Sequence, residues 1–198
     1  MKPRDFADHL DRLTDLLTAG GWEQLDLGFA GPEIPEQLTG IGFRLIISTD
    51  RRALLTANWR ATHASTEFQS LDPHDPDAAA WRAHADNLPV NILIAAAHAA
   101  TAQPPGPGPF RLLREAGWTK QPPRATGPGS YAMVLSDPAA ARSATATYLS
   151  APGYTERGPW LIARDDLPAS DGARAFAHTT PTAPGPLIAA LALTDPTE

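Results

Sequence analysis

The sequence predicts an α+β fold of two pseudo-symmetric repeats, each a short helix, an antiparallel sheet of about four strands and a C-terminal helix. Three observations predict it. Ala83-His84 followed by Leu93-Ile94-Ala95-Ala96 returns as Ala177-His178 followed by Leu187-Ile188-Ala189-Ala190, at one offset of about 94 positions, which is the mark of a repeated supersecondary unit. A helical segment ends in Gly-Trp in each half, at Gly21-Trp22 and Gly117-Trp118. Short segments rich in β-branched and aromatic residues then follow, separated by polar turns, and hairpin connections make an antiparallel meander with helices on one face the natural topology. The first repeat spans 1–103, a Pro/Gly linker 104–109 and the second repeat 110–198.

Residues 5–19 read as an amphipathic helix, with Phe6, Leu10, Leu13 and Leu17 on one face and Asp8, Asp11, Arg12 and Asp15 on the other. Asp5 is its expected N-cap and Gly20-Gly21 its stop. Residues 23–40 are a loop with room for a short strand. Strands are expected over 41–48, 53–62, 66–71 and 80–85, with a turn at Ser48-Thr49-Asp50-Arg51. Asp86 or Asn87 is expected to cap a helix over 89–102, with Pro89 in its first turn. Thr101 to Pro109 is too rich in Pro and Gly to join an element. The second half repeats the plan: a helix over 110–116, a loop over 119–129, and strands over 131–135, 143–149, 158–164 and 173–177. Thr179 or Thr180 is expected to cap a last helix over 186–194. The two units are expected to join by their sheet edges or by their open faces, either of which buries what a lone unit leaves exposed.

Composition narrows the function classes. The 198 residues carry a net charge of −6. The imbalance lies in residues 1–104, with 8 basic and 14 acidic side chains, while 105–198 carry 8 of each. Such a balance lacks the electrostatic footprint that dominates nucleic-acid affinity. Lysine occurs only at Lys2 and Lys120, and the abundance of Arg, Ala, Pro and Gly suits a GC-rich bacterial genome. The absence of cysteine excludes disulfides, thiol catalysis and Cys-ligated zinc. No segment reads as a signal peptide or membrane span, so a cytoplasmic protein is expected.

Ser48-Thr49-Asp50-Arg51-Arg52-Ala53 and Ser136-Asp137-Pro138 follow the first long strand of each copy, and Trp160, Ala173 to Ala177, Thr180-Pro181 and Leu187 to Leu191 follow later. In these residues the chain resembles the actinobacterial SPDY domain family, named for a Ser-Pro-Asp-Tyr motif and often present twice in a chain. Thr49 stands where that motif has Pro, the second copy reads Ser-Asp-Pro, and neither copy has the Tyr. The resemblance implies a repeat architecture and no activity.

Candidate chemistry is sparse. His84 and His178 are equivalent in the repeat and read either as a pair of bases or ligands or as the ends of strands bonded to nearby carbonyls. Ser48, Asp50 and His84, echoed by Ser136, Asp137 and His178, can be written as hydrolase triads, but no nucleophile elbow is present. Asp72, His74, Asp75 and Asp77 lack the Gly and distal Glu of a calcium loop and read as a solvated acidic turn. The Gly-Pro-Gly segments at 106–108 and 127–129 offer no phosphate cradle. Trp59, Arg60, Trp81, Arg82, Tyr148, Trp160 and Arg164 set aromatics on strands, some beside Arg. Aromatic and Arg side chains on a sheet can stack single-stranded bases, and a doubled sheet-plus-helix unit is similar in plan to Whirly and Pur-type single-strand binders.

The expected function is a non-catalytic binding or adaptor role with no catalytic residue, metal or cofactor. Its partner would be another protein or a second copy of the chain. Single-stranded nucleic-acid binding stands second, disfavoured by the acidic charge, and a small Ser-dependent hydrolase third. A nucleic-acid binder requires Arg44, Arg60, Arg82, Arg142 and Arg164 on one face with exposed Trp. An adaptor requires an exposed apolar patch, and a hydrolase requires Ser136 within hydrogen-bonding reach of His178.

Overall fold

The computed structural model describes residues 3–25, 42–60, 63–72, 79–102, 106–151, 154–168 and 174–196. Helix α1 (Pro3–Ala19) starts at a proline, two residues before the expected start at Asp5, consistent with proline's preference for a first helical turn. Leu10, Leu13 and Leu17 are buried, as their spacing predicts; the Phe6 side chain lies outside the described residues. The helix closes with Gly21 at φ 90°, Gly21 N–H bonding Thr18 O and Trp22 N–H bonding Leu17 O. That pair of bonds satisfies carbonyls the last turn leaves open, and glycine reaches the required φ without strain. Helix α3 (Pro109–Glu115) ends the same way, with Gly117 at φ 84°, Gly117 N–H on Arg114 O and Trp118 N–H on Leu113 O. Both tryptophans are folded back into the core.

The strands are β1 (Glu23–Gln24), β2 (Gly42–Ile47), β3 (Ala53–Arg60), β4 (His63–Ser70), β5 (Arg82–Asp86), β6 (Thr119–Lys120), β7 (Arg124–Gly127), β8 (Ser130–Ser136), β9 (Arg142–Ala151), β10 (Tyr154–Arg164) and β11 (Phe176–Thr179). They form one antiparallel sheet in the order β1-β2-β3-β4-β5-β11-β10-β9-β8-β6, with β7 also on β8. Of the two joinings expected, the edges pair: β5 and β11 form the seam, with His178 directly opposite His84. The short strands β6 and β7 fall in a segment expected to be a loop.

The β2–β3 and β8–β9 turns share a hydrogen-bond pattern. Ser48 N–H bonds Ala53 O and Arg51 N–H bonds Ser48 O; Asp137 N–H bonds Arg142 O and Ala140 N–H bonds Asp137 O. Arg51 and Ala140 both have φ 55°. By these bonds Ser48 corresponds to Asp137, one position from the sequence alignment of Ser48 with Ser136. The Ser48 hydroxyl accepts from Arg52 and Ala53 N–H, and an Asp137 carboxylate oxygen accepts from Arg142 N–H.

Helices α2 (Val90–Thr101) and α4 (Gly185–Leu193) pack together over the sheet, with α1 beside α2 and α3 beside α4. Two expected caps do not form, because both helices have Pro at N-cap, Pro89 and Pro184, with no side-chain cap bond. Asn87 instead lies at φ 54° with its amide oxygen on Ala64 N–H, and Thr180 bonds Arg82 across the seam. The helices face the core with Leu10, Leu13, Leu17, Ile92, Leu93, Leu187, Ile188 and Leu191; the sheet beneath answers with Ile46, Leu55, Phe68, Leu135, Trp160 and Ile162 set among Ala53, Ala57, Ala83, Ala85, Ala144, Ala146 and Ala177. The end of the linker packs against the first turn of α4: a Cβ on Gly185 would meet Pro107 O. No helix among the described residues is long and apolar enough to cross a membrane.

Candidate functional site

Strand alternation divides the seam into two faces. Ala83, Ala85, Ala177 and Thr179 are buried under the helices. Arg82, His84, Asp86, Phe176 and His178 therefore point to the opposite face, which no described helix covers. The expectation that each histidine ends its strand and bonds a carbonyl is corrected: β5 and β11 both continue past them, and His84 Nε2 lies 3.1 Å from Asp86 Oδ1. Asp86 stands two residues along the same strand and so on the same face. The His-x-Asp spacing is visible in the sequence, where Asp86 competes with Asn87 as the expected cap of the next helix.

Across the sheet, Glu67, His84, His178, Leu161 and Thr145 form one row by strand register. The His84 and His178 ring centroids are 5.0 Å apart at a 31° tilt, and Phe176 stacks beside His178 at 6.4 Å. A shallow cavity of about 340 Å³ is lined by Glu67, Arg82, Ala83, His84, His178 and Thr180. The two imidazoles differ in basicity. The hydrogen bond to Asp86 raises His84 above its ordinary value, against burial, with the Asp86 and Glu67 charges adding to the rise. Burial, and then the charge of His84, hold His178 below its ordinary value despite the two carboxylates.

Neither serine of the expected triads reaches this pair. Ser136 lies on β8, and β9 and β10 separate it from β11, so it is at least about 14 Å from His178 at ~4.8 Å per strand. Ser48 is engaged within its turn, its hydroxyl donating to Asp50 Oδ1 at 2.7 Å. Among the described residues no three ligating groups gather to hold a metal ion; His74, Asp75 and Asp77 lie outside the described residues.

The aromatic and Arg residues do not form one exposed surface. Trp160 is 0% exposed beneath Phe110, and Arg164 is 1% exposed, because alternation along β10 turns Trp160, Ile162 and Arg164 toward the helices. Arg164 bonds both oxygens of Asp166 and Leu191 O of α4. Arg142 bonds Asp137 and Leu193 O, and Arg44 bonds Asp11 of α1. Tyr148 stacks on Tyr131 at 5.1 Å and 7° on the helix side. Trp81 is half-buried and packs at the margin of the core. Arg82 is exposed on the open face. The side chains of Trp59 and Arg60 lie outside the described residues. The open face instead presents Leu161 and Leu149, 48% and 51% exposed.

Comparison with protein-family models, curated proteins and solved structures finds no match.

Proposed function

We propose that the chain is a non-catalytic binding protein that receives a protein partner on the sheet face that no described helix covers. The observation that carries this reading is the exposure of Leu161 and Leu149 on that face, outward of the His84–His178 centre. Large aliphatic side chains on an uncovered sheet face suit a protein partner better than a charged polymer. Single-stranded nucleic acid is the weaker reading, because Arg142 and Arg164 are tied to carboxylates and to the end of α4 and Trp160 is enclosed. The cytoplasm is the compartment we assign to this role.

The same reading includes a degenerate tandem repeat of the kind the SPDY resemblance implies. Its support is the recurrence of the Gly-Trp helix ends, of the two turns, and of His84 and His178 opposite one another where the halves meet.

Cross-linking and affinity capture with three forms of the chain test the binding reading: wild type, Leu149→Lys/Leu161→Lys, and Leu16→Lys on the outer face of α1. A partner held by wild type and Leu16→Lys but lost by the double variant supports it. Equal capture by all three, or a single-stranded oligonucleotide bound at low salt, sinks it. Light scattering on the same forms reveals whether that partner is a second copy.

A further inference from the structure

We propose that the His84–His178 pair is a proton-sensitive latch on the seam of the sheet: it takes one proton with the sheet closed, and a second proton loosens the β5–β11 pairing. This is a property of the fold, whatever binds the face. The seam ladder has four residue pairs, Phe176↔Asp86 to Thr179↔Ala83, against eight between β3 and β4. Among the described strands it alone joins β1–β5 to β6–β11. His84 and His178 are one of its four pairs, directly opposite with rings 5.0 Å apart. Like charges directly opposite one another destabilise a ladder.

The surroundings of the two rings are unequal. On β5, Asp86 bonds His84 and Arg82 lies two residues away on the same face. On β4, Glu67 stands opposite His84, flanked on its face by Ser65 and Gln69. The neighbours of His178 along its own chain are Phe176 on β11 and Thr180 just past it, and on β10 Leu161 and Ala163, none of them titratable. Both carboxylates thus lie on the His84 side. The first proton goes to His84, where Asp86 holds it. A second proton on His178 meets an imidazolium across the seam and has no carboxylate of its own among the described residues. The opposed shifts of the two rings agree with this order.

The test uses the full chain. Imidazole resonances and backbone amide protection are followed by NMR from about pH 8 to about pH 5, the range in which histidine changes charge. Two midpoints are expected, with His84 above His178. Through the lower one, protection of the β5 and β11 amides falls by about fourfold, the factor that two unit charges 5.0 Å apart give at the dielectric constant of water; the β3–β4 amides hold. His84→Gln moves the His178 midpoint up and abolishes the fall. His178→Gln, at an exposed position, also abolishes it and serves if His84→Gln does not fold. Constant seam protection in wild type, a fall that survives either substitution, or a His178 midpoint unmoved by His84→Gln overturns the proposal.

Discussion

Asp166→Ala leaves a buried cation without its counter-ion. The Arg164 side chain is 0% exposed; it donates from Nε at 2.9 Å and from a terminal nitrogen at 2.8 Å to the two Asp166 oxygens, and at 3.1 Å to Leu191 O. Removing one partner of a buried pair costs roughly 3–5 kcal/mol. The Asp166 side chain is 20% exposed, so water can enter the vacated site, which sets the expected loss near the lower end, about 3 kcal/mol. For a chain of this length that is a fall in Tm of about 6–12 °C. Arg164→Met removes the cation together with its desolvation cost, and the carboxylate it frees can turn to solvent. Only the bond to Leu191 O is then lost outright, about 1 kcal/mol. Urea and thermal unfolding at neutral pH should therefore rank Asp166→Ala well below Arg164→Met. Acid supplies a second check. Burial would raise Asp166, but the Arg164 hydrogen bonds and charge outweigh it and hold the carboxyl below its ordinary value of 3.8. The pair's contribution is thus complete above that value and fades as pH falls through the depressed one, where wild type and Asp166→Ala should converge. If Arg164→Met is the more damaging variant, or the gap persists in acid, the electrostatic reasoning is refuted.

Three further outcomes are expected. Gly129 lies at φ 67° and its added Cβ would stand 2.8 Å from Ser150 O, whereas Gly117 at φ 84° has open space. By denaturant titration Gly117→Ala should cost about 1 kcal/mol from the left-handed backbone alone and Gly129→Ala clearly more. Ile188 is 0% exposed between helices and sheet, so Ile188→Ala should cost about 2–5 kcal/mol in the same assay. Burial first, and the Arg12 charge second, hold His9 below its ordinary 6.5, and its buried Nε2 has no partner among the described residues. The unfolded chain therefore takes up a proton there more readily than the folded one, so stability falls as pH drops below 6.5. His9→Leu should flatten that part of the stability–pH curve, read by calorimetry at several pH values.

Much of the fold was legible because its elements carry strong local signals. Gly-Trp ended two helices, the first where the spacing of Leu10, Leu13 and Leu17 ran out, and glycine at a left-handed φ leaves little alternative there. The strand limits were read less well where alanine lines the buried face. Ala83 and Ala85 carry little hydrophobic contrast against His84 and Asp86, so β5 and β11 were expected one to three residues too early. Strands β6 and β7 are exposed along their whole length and their residues have no apolar alternation to detect. The candidate site was misread for a related reason. Trp160 and Arg164, four positions apart on one strand, look like surface chemistry, but they share the parity of Ile162, and parity decides the face.

That parity also bears on where a binding surface can form. On β10 the inward residues Trp160, Ile162 and Arg164 fill the core and anchor α4 through Leu191 O, so changes there act on stability. The outward residues Leu161 and Ala163 meet no helix among the described residues, and neither do Thr145, His178 and His84 in the same row. Alanine at Ala83, Ala85, Ala144, Ala146 and Ala177 lets α2 and α4 sit close over the middle of the sheet, while Ile46, Leu55, Phe68, Leu135, Trp160 and Ile162 supply its larger inward side chains. Substitution of Leu161, Thr145 or His178 should then alter recognition with little loss of stability, since surface replacements away from packing, caps and strain stay within about 0.5 kcal/mol. His84 is the exception, because its bond to Asp86 and its place opposite His178 tie an outward residue to the seam itself.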